Sequence, residues 1–209
     1  MAQTDDHLHP NETQRTEAFS DGVFAIAITL LIIEIGVPHV TGDESLSEAL
    51  GDLWPSYGAY VLSFVMIGIY WVNHHSLFRL FVRTDHFFLI LNVFFLMAIA
   101  FLPFPTAVLG EYLNDSAERD SAVRLYSLGL LLPAFGWIVV WLYANARGLV
   151  DERLAPEYVR FLTLQYLLSN VLYAGALMLS FLDAWVALAL VTSLTLLYML
   201  PPRRPRYTS

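Results

Sequence analysis

Six long apolar stretches, joined by short polar connections, leave this chain few ways to fold. They run over about 18–37, 53–74, 87–109, 125–144, 158–180 and 185–200. A helix needs roughly 20 mostly apolar residues to cross the hydrocarbon core of a bilayer. Inside that core every backbone N–H and C=O must be satisfied by protein, so only helices and closed barrels span it. The runs here are continuous and do not alternate with period two, which excludes a barrel. Only 14% of the 209 residues are charged, against about 25% in an ordinary soluble domain. The expected fold is all-α, an integral membrane protein with six transmembrane helices per subunit. Helices, short loops and two tails use up the length. A single transmembrane domain over 1–209 is expected, with an N-terminal tail 1–17, spans across about 18–200 and an Arg/Pro tail 201–209.

Arginine placement predicts the orientation. The chain has no lysine and eleven arginines. Nine of them (Arg15, Arg79, Arg83, Arg147, Arg153, Arg160, Arg203, Arg204 and Arg206) fall on one side of the six spans, and only Arg119 and Arg124 on the other. The positive-inside rule then puts both termini in the cytosol of a multi-pass protein of the cell membrane. The opposite loops are acidic: Asp43, Glu44, Glu48 and Asp52, then Glu111, Asp115, Glu118 and Asp120, then Asp183. Carboxylates around a low-dielectric mouth concentrate cations; equally, outer loops are simply solvated and poor in arginine. The N-terminus has no basic start followed by an apolar stretch and a small-residue cleavage site, so it does not read as a signal peptide. The net charge of −8 argues against nucleic-acid binding. With no cysteine, thiolate metal sites and disulfides are impossible.

The first apolar stretch is the most informative. Asp21 and Glu34 lie in it or near its ends. Ionisable groups at membrane depth are costly and face protein or water, often along a pathway. Asp21 either staples helices together at the inner interface or takes part in transport. Glu34 either draws cations to an outer mouth or snorkels to the interface. Helical spacing places Ile26, Leu30 and Ile33 on one stripe with Thr29 beside them, and Phe24, Ile28, Leu31 and Ile35 on the opposite side. Apolar residues at helical spacing occur in any membrane helix, so the periodicity alone does not assign a pore wall.

The string Arg15, Phe19-Ser20-Asp21, Val23-Phe24-Ala25-Ile26, Thr29-Leu30-Leu31 resembles the first-helix signature of the transmembrane protein 175 family of potassium channels, in its short bacterial and archaeal form. The likeness continues through Tyr70-Trp71-Val72-Asn73-His74-His75, Phe101-Leu102-Pro103-Phe104-Pro105-Thr106 and Glu111-Tyr112. It covers the first half of the chain; the second half matches in span number and hydropathy. The resemblance implies a homotetramer whose first helices line a central pore, since the animal form carries two such repeats per chain and this chain carries one. It implies that Ile26 forms the narrow constriction, with Leu30 and Ile33 as apolar rings further out. Thr29 takes the position linked to potassium preference. Arg15, Ser20 and Asp21 take part in a polar network with Trp71 and His74. The expected permeant ions are K+ and other monovalent cations, with modest K+ over Na+ selectivity. The expected partners are three further copies of the chain and the lipid bilayer, with no cofactor. The Thr-Val-Gly-Tyr-Gly string of carbonyl selectivity filters is absent from the sequence.

Other constellations are weaker. His74-His75 and Asp85-His86 suggest a metal site on composition, but neighbouring helical residues point about 100° apart, and structural or interfacial histidines are the expectation. No nucleophile elbow, phosphate loop or catalytic acid pair appears, so no enzyme is expected. A proton-coupled secondary transporter using Asp21 or Glu34 is the alternative. Such proteins often break a helix at the bilayer midplane, and the first stretch has neither Pro nor Gly at its centre.

Overall fold

A computed structural model describes residues 10–38, 40, 42, 45–200 and 203–208. Asp43, Glu44 and parts of both tails lie outside the described residues. The described chain is all-helical: α1 (Pro10–Leu30), α2 (Leu46–Asp52), α3 (Trp54–Phe78), α4 (His86–Phe101), α5 (Pro103–Tyr112), α6 (Arg119–Ala146), α7 (Pro156–Leu179) and α8 (Ala184–Tyr198). Two isolated β-bridges, Phe81 with Val150 and Leu154 with Tyr207, tie loops together.

Four rods are long and apolar enough to cross a membrane: α3, α4 with α5, α6 and α7. The other two expected spans differ. At 15 residues, α8 is about 22 Å long, short of the roughly 30 Å hydrocarbon core. The 21 residues of α1 include Glu12, Arg15, Glu17 and Asp21 in their first twelve, which leaves a short apolar half. The first helix also differs in its bounds. An apolar reading carries it over 18–37, whereas α1 begins at Pro10 and ends at Leu30. Tighter turns follow, with Ile33 N donating to Leu30 O at 3.1 Å and Ile35 N to Ile32 O at 3.3 Å. Gly36 and Pro38 lie just beyond; glycine loses the most backbone entropy in a helix, and proline pushes its predecessor out of the helical region.

The rod made of α4 and α5 is interrupted at Leu102 because Pro103 and Pro105 cannot donate to the preceding turn. Leu102 N turns to Ile99 O at 3.1 Å. Behind the break, Ser63 Oγ lies 2.7 Å from Thr106 Oγ1 and 3.0 Å from Tyr126 Oη, and Thr106 Oγ1 donates to Leu102 O at 2.8 Å. This buried cluster joins α3, α5 and α6. Nearby, α5 crosses α3 so closely that a Cβ on Gly110 would stand 2.9 Å from Ser56 Cα. Small residues of this kind let membrane helices approach backbone to backbone.

α6 packs against α4, α5, α7 and α8, while α1 lies against α3 and α4. Trp141, Tyr126, Phe24, Phe78, Phe88 and Phe95 are the bulkiest fully buried side chains among the described residues, in one continuous core. At the end of α6, Gly148 adopts φ +63°, and the N–H groups of Gly148 and Leu149 close onto Asn145 O and Ala144 O at 3.2 and 2.9 Å. This is a left-handed C-terminal cap that glycine adopts without strain.

Several charged residues prove to be local fasteners. Asp85 caps α4 by accepting from Phe88 N at 2.8 Å; Tyr143 Oη donates to it at 2.9 Å, and Arg147 Nε lies 3.8 Å away. The Phe88 N–H first, then Tyr143 and Arg147, hold its carboxyl below the usual carboxylate range. A carboxyl lowered on folding stabilises fully above its unfolded value of about 3.9, and that contribution is lost only as pH falls through the lower folded value. Asp183 caps α8 through Trp185 N and Val186 N. Glu48 closes a reciprocal cap with Ser45 on α2, a short helix inside what reads as an acidic loop. The two arginines against the charge asymmetry also have partners: Arg119 lies over Trp185 at 5.0 Å and Arg124 over Phe181 at 4.8 Å. Cation–π contact of this kind ties α6 to the α7–α8 hairpin.

Candidate functional site

The two flanks of α1 meet different surroundings. Ser20, Phe24 and Ala27 are buried, as is Leu31 just past its end, and this flank rests on α3 and α4. The other flank carries Ile26, Thr29 and Leu30, all exposed, with Ile33 exposed in the turn that follows. Ile26 is 61% and Ile33 71% exposed, whereas Phe24 is 1%. Among the described residues nothing covers this apolar stripe. Thr29 Oγ1 lies 2.9 Å from both Ala25 O and Ile26 O. Its single proton is used on its own helix, leaving oxygen lone pairs on the uncovered side.

Polar groups secure the covered flank. Trp71 Nε1, on α3, donates to Asp21 Oδ1 at 2.9 Å. Asn92 Nδ2, on α4, donates to Ser20 Oγ at 3.2 Å, and Asn92 Oδ1 lies 3.2 Å from His74 Nε2. Ser20 Oγ in turn donates to Thr16 O at 2.8 Å. The His74 ring stacks on Phe78 at 4.1 Å and meets Phe24 edge-on at 5.4 Å. Ser20, His74 and Asn92 are buried and need such partners, which lie on three helices, whereas the Trp71–Asp21 bond is exposed.

Of the residues expected in this network, Ser20, Asp21, Trp71 and His74 are brought together, but in two separate links. Asp21 pairs with Trp71 alone among the described residues, and His74 reaches Ser20 through Asn92. Arg15 is exposed and has no hydrogen-bond or ion-pair partner among the described residues. It takes no part in these links among the described residues. Glu34 is exposed in the turn beyond α1. His75 approaches Glu17 at 3.9 Å. Among the described residues no three His, Asp or Glu side chains converge as a metal site.

Asn92 is the residue that sequence reasoning missed. Its signal is plain in retrospect: within the run His86–Phe101 it is the one strongly polar side chain after the first residue. Replacing Asn92 with Leu keeps the volume but leaves the buried His74 without its partner. An orphaned buried polar group costs about 1–3 kcal/mol, so the variant should melt at lower temperature in detergent. An unchanged melting temperature would show that the link carries no stability.

The family model for the endosomal/lysosomal potassium channel TMEM175 matches residues 15–103. A potassium channel of Streptomyces collinus is 43% identical over 189 residues, covering 90% of this chain and 92% of that one. A potassium channel of Chamaesiphon minutus is 42% identical over 193 residues, covering 91% and 95%. The crystal structure of a lysosomal potassium-selective channel TMEM175 homolog from Chamaesiphon minutus superposes with a TM-score of 0.82 at 40% identity, over 90% of this chain and 97% of that one. The family is one of membrane ion channels, not of enzymes, and calls for no cofactor. An α1 helix fastened to α3 and α4 on one flank and bare on the other thus sits in a chain that belongs to the TMEM175 family.

Proposed function

We propose that this protein is a passive, potassium-permeable cation channel in which four copies surround a central pore lined by α1. The bare stripe of α1 carries this reading: Ile26, Thr29, Leu30 and Ile33 form a row that the described residues leave exposed, while Ser20, Phe24, Ala27 and Leu31 on the opposite flank are buried. Four such rows facing one another would cover the apolar surface and enclose an ion path. The relatives named as potassium channels support the choice of ion.

In this arrangement Ile26 forms the narrow ring, which gates by excluding water. Leu30 and Ile33 continue the apolar wall outward, Ile33 on the turn after the helix. Thr29 hydroxyl oxygens, their protons spent on Ala25 O or Ile26 O, replace part of the hydration of a passing K+. Hydroxyls give weaker discrimination than a carbonyl cage, so K+ over Na+ preference is modest. Glu34, beyond α1, attracts cations to the outer mouth. Both termini lie in the cytosol, where nine of the eleven arginines then sit. The whole chain acts as one membrane unit. A proton-coupled transporter finds no support among the relatives named above, which are channels.

The test is K+ flux through the purified protein in liposomes. A channel passes K+ down its gradient in discrete current steps; slow, saturable flux that follows a pH gradient contradicts the proposal. Thr29→Ala should bring the K+/Na+ reversal potential closer to zero under opposed K+ and Na+ gradients. An unchanged reversal potential removes Thr29 from selectivity.

A further inference from the structure

A second cavity lies away from the α1 stripe, between α3, α6, α7 and α8. It is open on one side and encloses about 80 Å³, several times the roughly 10–15 Å³ that one water needs. Its wall is partly aromatic: Tyr70, Trp137, Tyr166 and Tyr173. Trp137 meets Tyr166 edge-to-face at 5.8 Å and Tyr70 at a tilt at 6.1 Å. Its polar wall holds Asn73, Gln165, Ser169 and Asn170; Ser169 Oγ lies 2.6 Å from Tyr198 Oη, and Asn170 Nδ2 donates to Ala134 O and Tyr166 O. Among the described residues neither the Asn73 nor the Gln165 carboxamide, nor the Tyr70 hydroxyl, has a hydrogen-bond partner, although all three belong to membrane-spanning rods. Amides and hydroxyls left unpaired in apolar surroundings cost free energy that a guest can recover. No charged side chain lines the cavity, and a charged guest at membrane depth would be strongly disfavoured.

We propose that this cavity is a binding site for a small neutral amphiphile that inserts a hydroxyl-bearing ring. The guest's ring packs against Tyr70, Trp137 and Tyr166 in the offset and edge-on geometries that aromatic groups favour. Its hydroxyl exchanges hydrogen bonds with Asn73, Gln165 and the Tyr70 hydroxyl, each of which both donates and accepts. The rest of the guest stays outside the open mouth. Asn73 lies between Trp71 and His74 on α3, so the site backs onto the helix that holds α1.

The chain has no cysteine, which permits a direct test by thiol protection. Ser169→Cys places a thiol in the cavity wall. Leu168→Cys, at a position 58% exposed on the outer face of α7, reports partitioning into detergent. The full-length protein in detergent is treated with N-ethylmaleimide, with 4-ethylphenol as the probe and ethylbenzene as its hydroxyl-free counterpart. The expected result is saturable slowing at Ser169→Cys by 4-ethylphenol, much weaker slowing by ethylbenzene and no slowing at Leu168→Cys. Tyr70→Phe and Gln165→Leu, each introduced singly, should weaken the protection severalfold. Equal slowing at both thiols, equal protection by the two probes, or a Ser169→Cys thiol that the reagent never reaches would overturn the proposal. The readout needs no ion flux, so failure here leaves the channel reading untouched, and failure of K+ flux leaves this site standing.

Discussion

Ile26→Asn is expected to pass far more K+ current than the unaltered protein. Ile26 is 61% exposed on the bare flank of α1, and in the proposed tetramer four isoleucines close the path by repelling water. A carboxamide at each position wets the ring and offers oxygen atoms to a dehydrating ion. Lowering the barrier by only about 1.4 kcal/mol raises the rate about tenfold, and a dry apolar ring presents a larger barrier than that to a cation. Single-channel recording should therefore show at least a several-fold rise in conductance or open time. The fold should survive, because the side chain is mostly exposed and not part of the buried core. Unchanged current would place the constriction elsewhere.

Gly110→Leu should abolish correctly folded protein. Even a Cβ at this position would stand 2.9 Å from Ser56 Cα and from Ser56 Oγ, and backbone cannot step aside as a flexible side chain can. The added isobutyl group forces α5 away from α3 and pulls apart the Ser63–Thr106–Tyr126 cluster beside it. Overpacking alone costs about 1–3 kcal/mol, and each buried hydroxyl left without a partner adds about 1–3 kcal/mol. Against a typical stability of about 5–15 kcal/mol, the sum is large. Size-exclusion chromatography in mild detergent should show aggregated material or none. A monodisperse peak at the wild-type position, with unchanged melting, would contradict the close crossing of these helices.

The helical rods were legible in the sequence because apolar length is set by bilayer thickness. The observed α3, α6 and α7 begin and end within a few residues of the apolar runs. The family, too, was legible from the Phe19-Ser20-Asp21 string and the Trp71–His75 segment. The end of α1 was not. Leu31 to Ile35 is nearly as apolar as the helix before it, so nothing in the apolar pattern marks the change to tighter turns after Leu30. The capping pair Ser45 and Glu48 announced α2, but it lay among acids that read as a loop. Asn92 was hidden for a different reason: its partners, Ser20 and His74, are 72 and 18 residues away, and a lone polar residue does not name its partners. Arg15 shows the converse. Its place in a motif suggested a role in the network, whereas the side chain stands in solvent.

Whether α1 turns its bare flank to an ion path is decided by recording from Ile26→Cys in this otherwise cysteine-free chain. Four thiols around one axis form a soft-ligand ring that binds Cd2+. The expected result is current that Cd2+ blocks and a chelator restores, with no block in Ala27→Cys, whose side chain is buried against its own bundle. Ile26→Cys channels that conduct unchanged in Cd2+, or equal block at both positions, would contradict a pore walled by this face of α1.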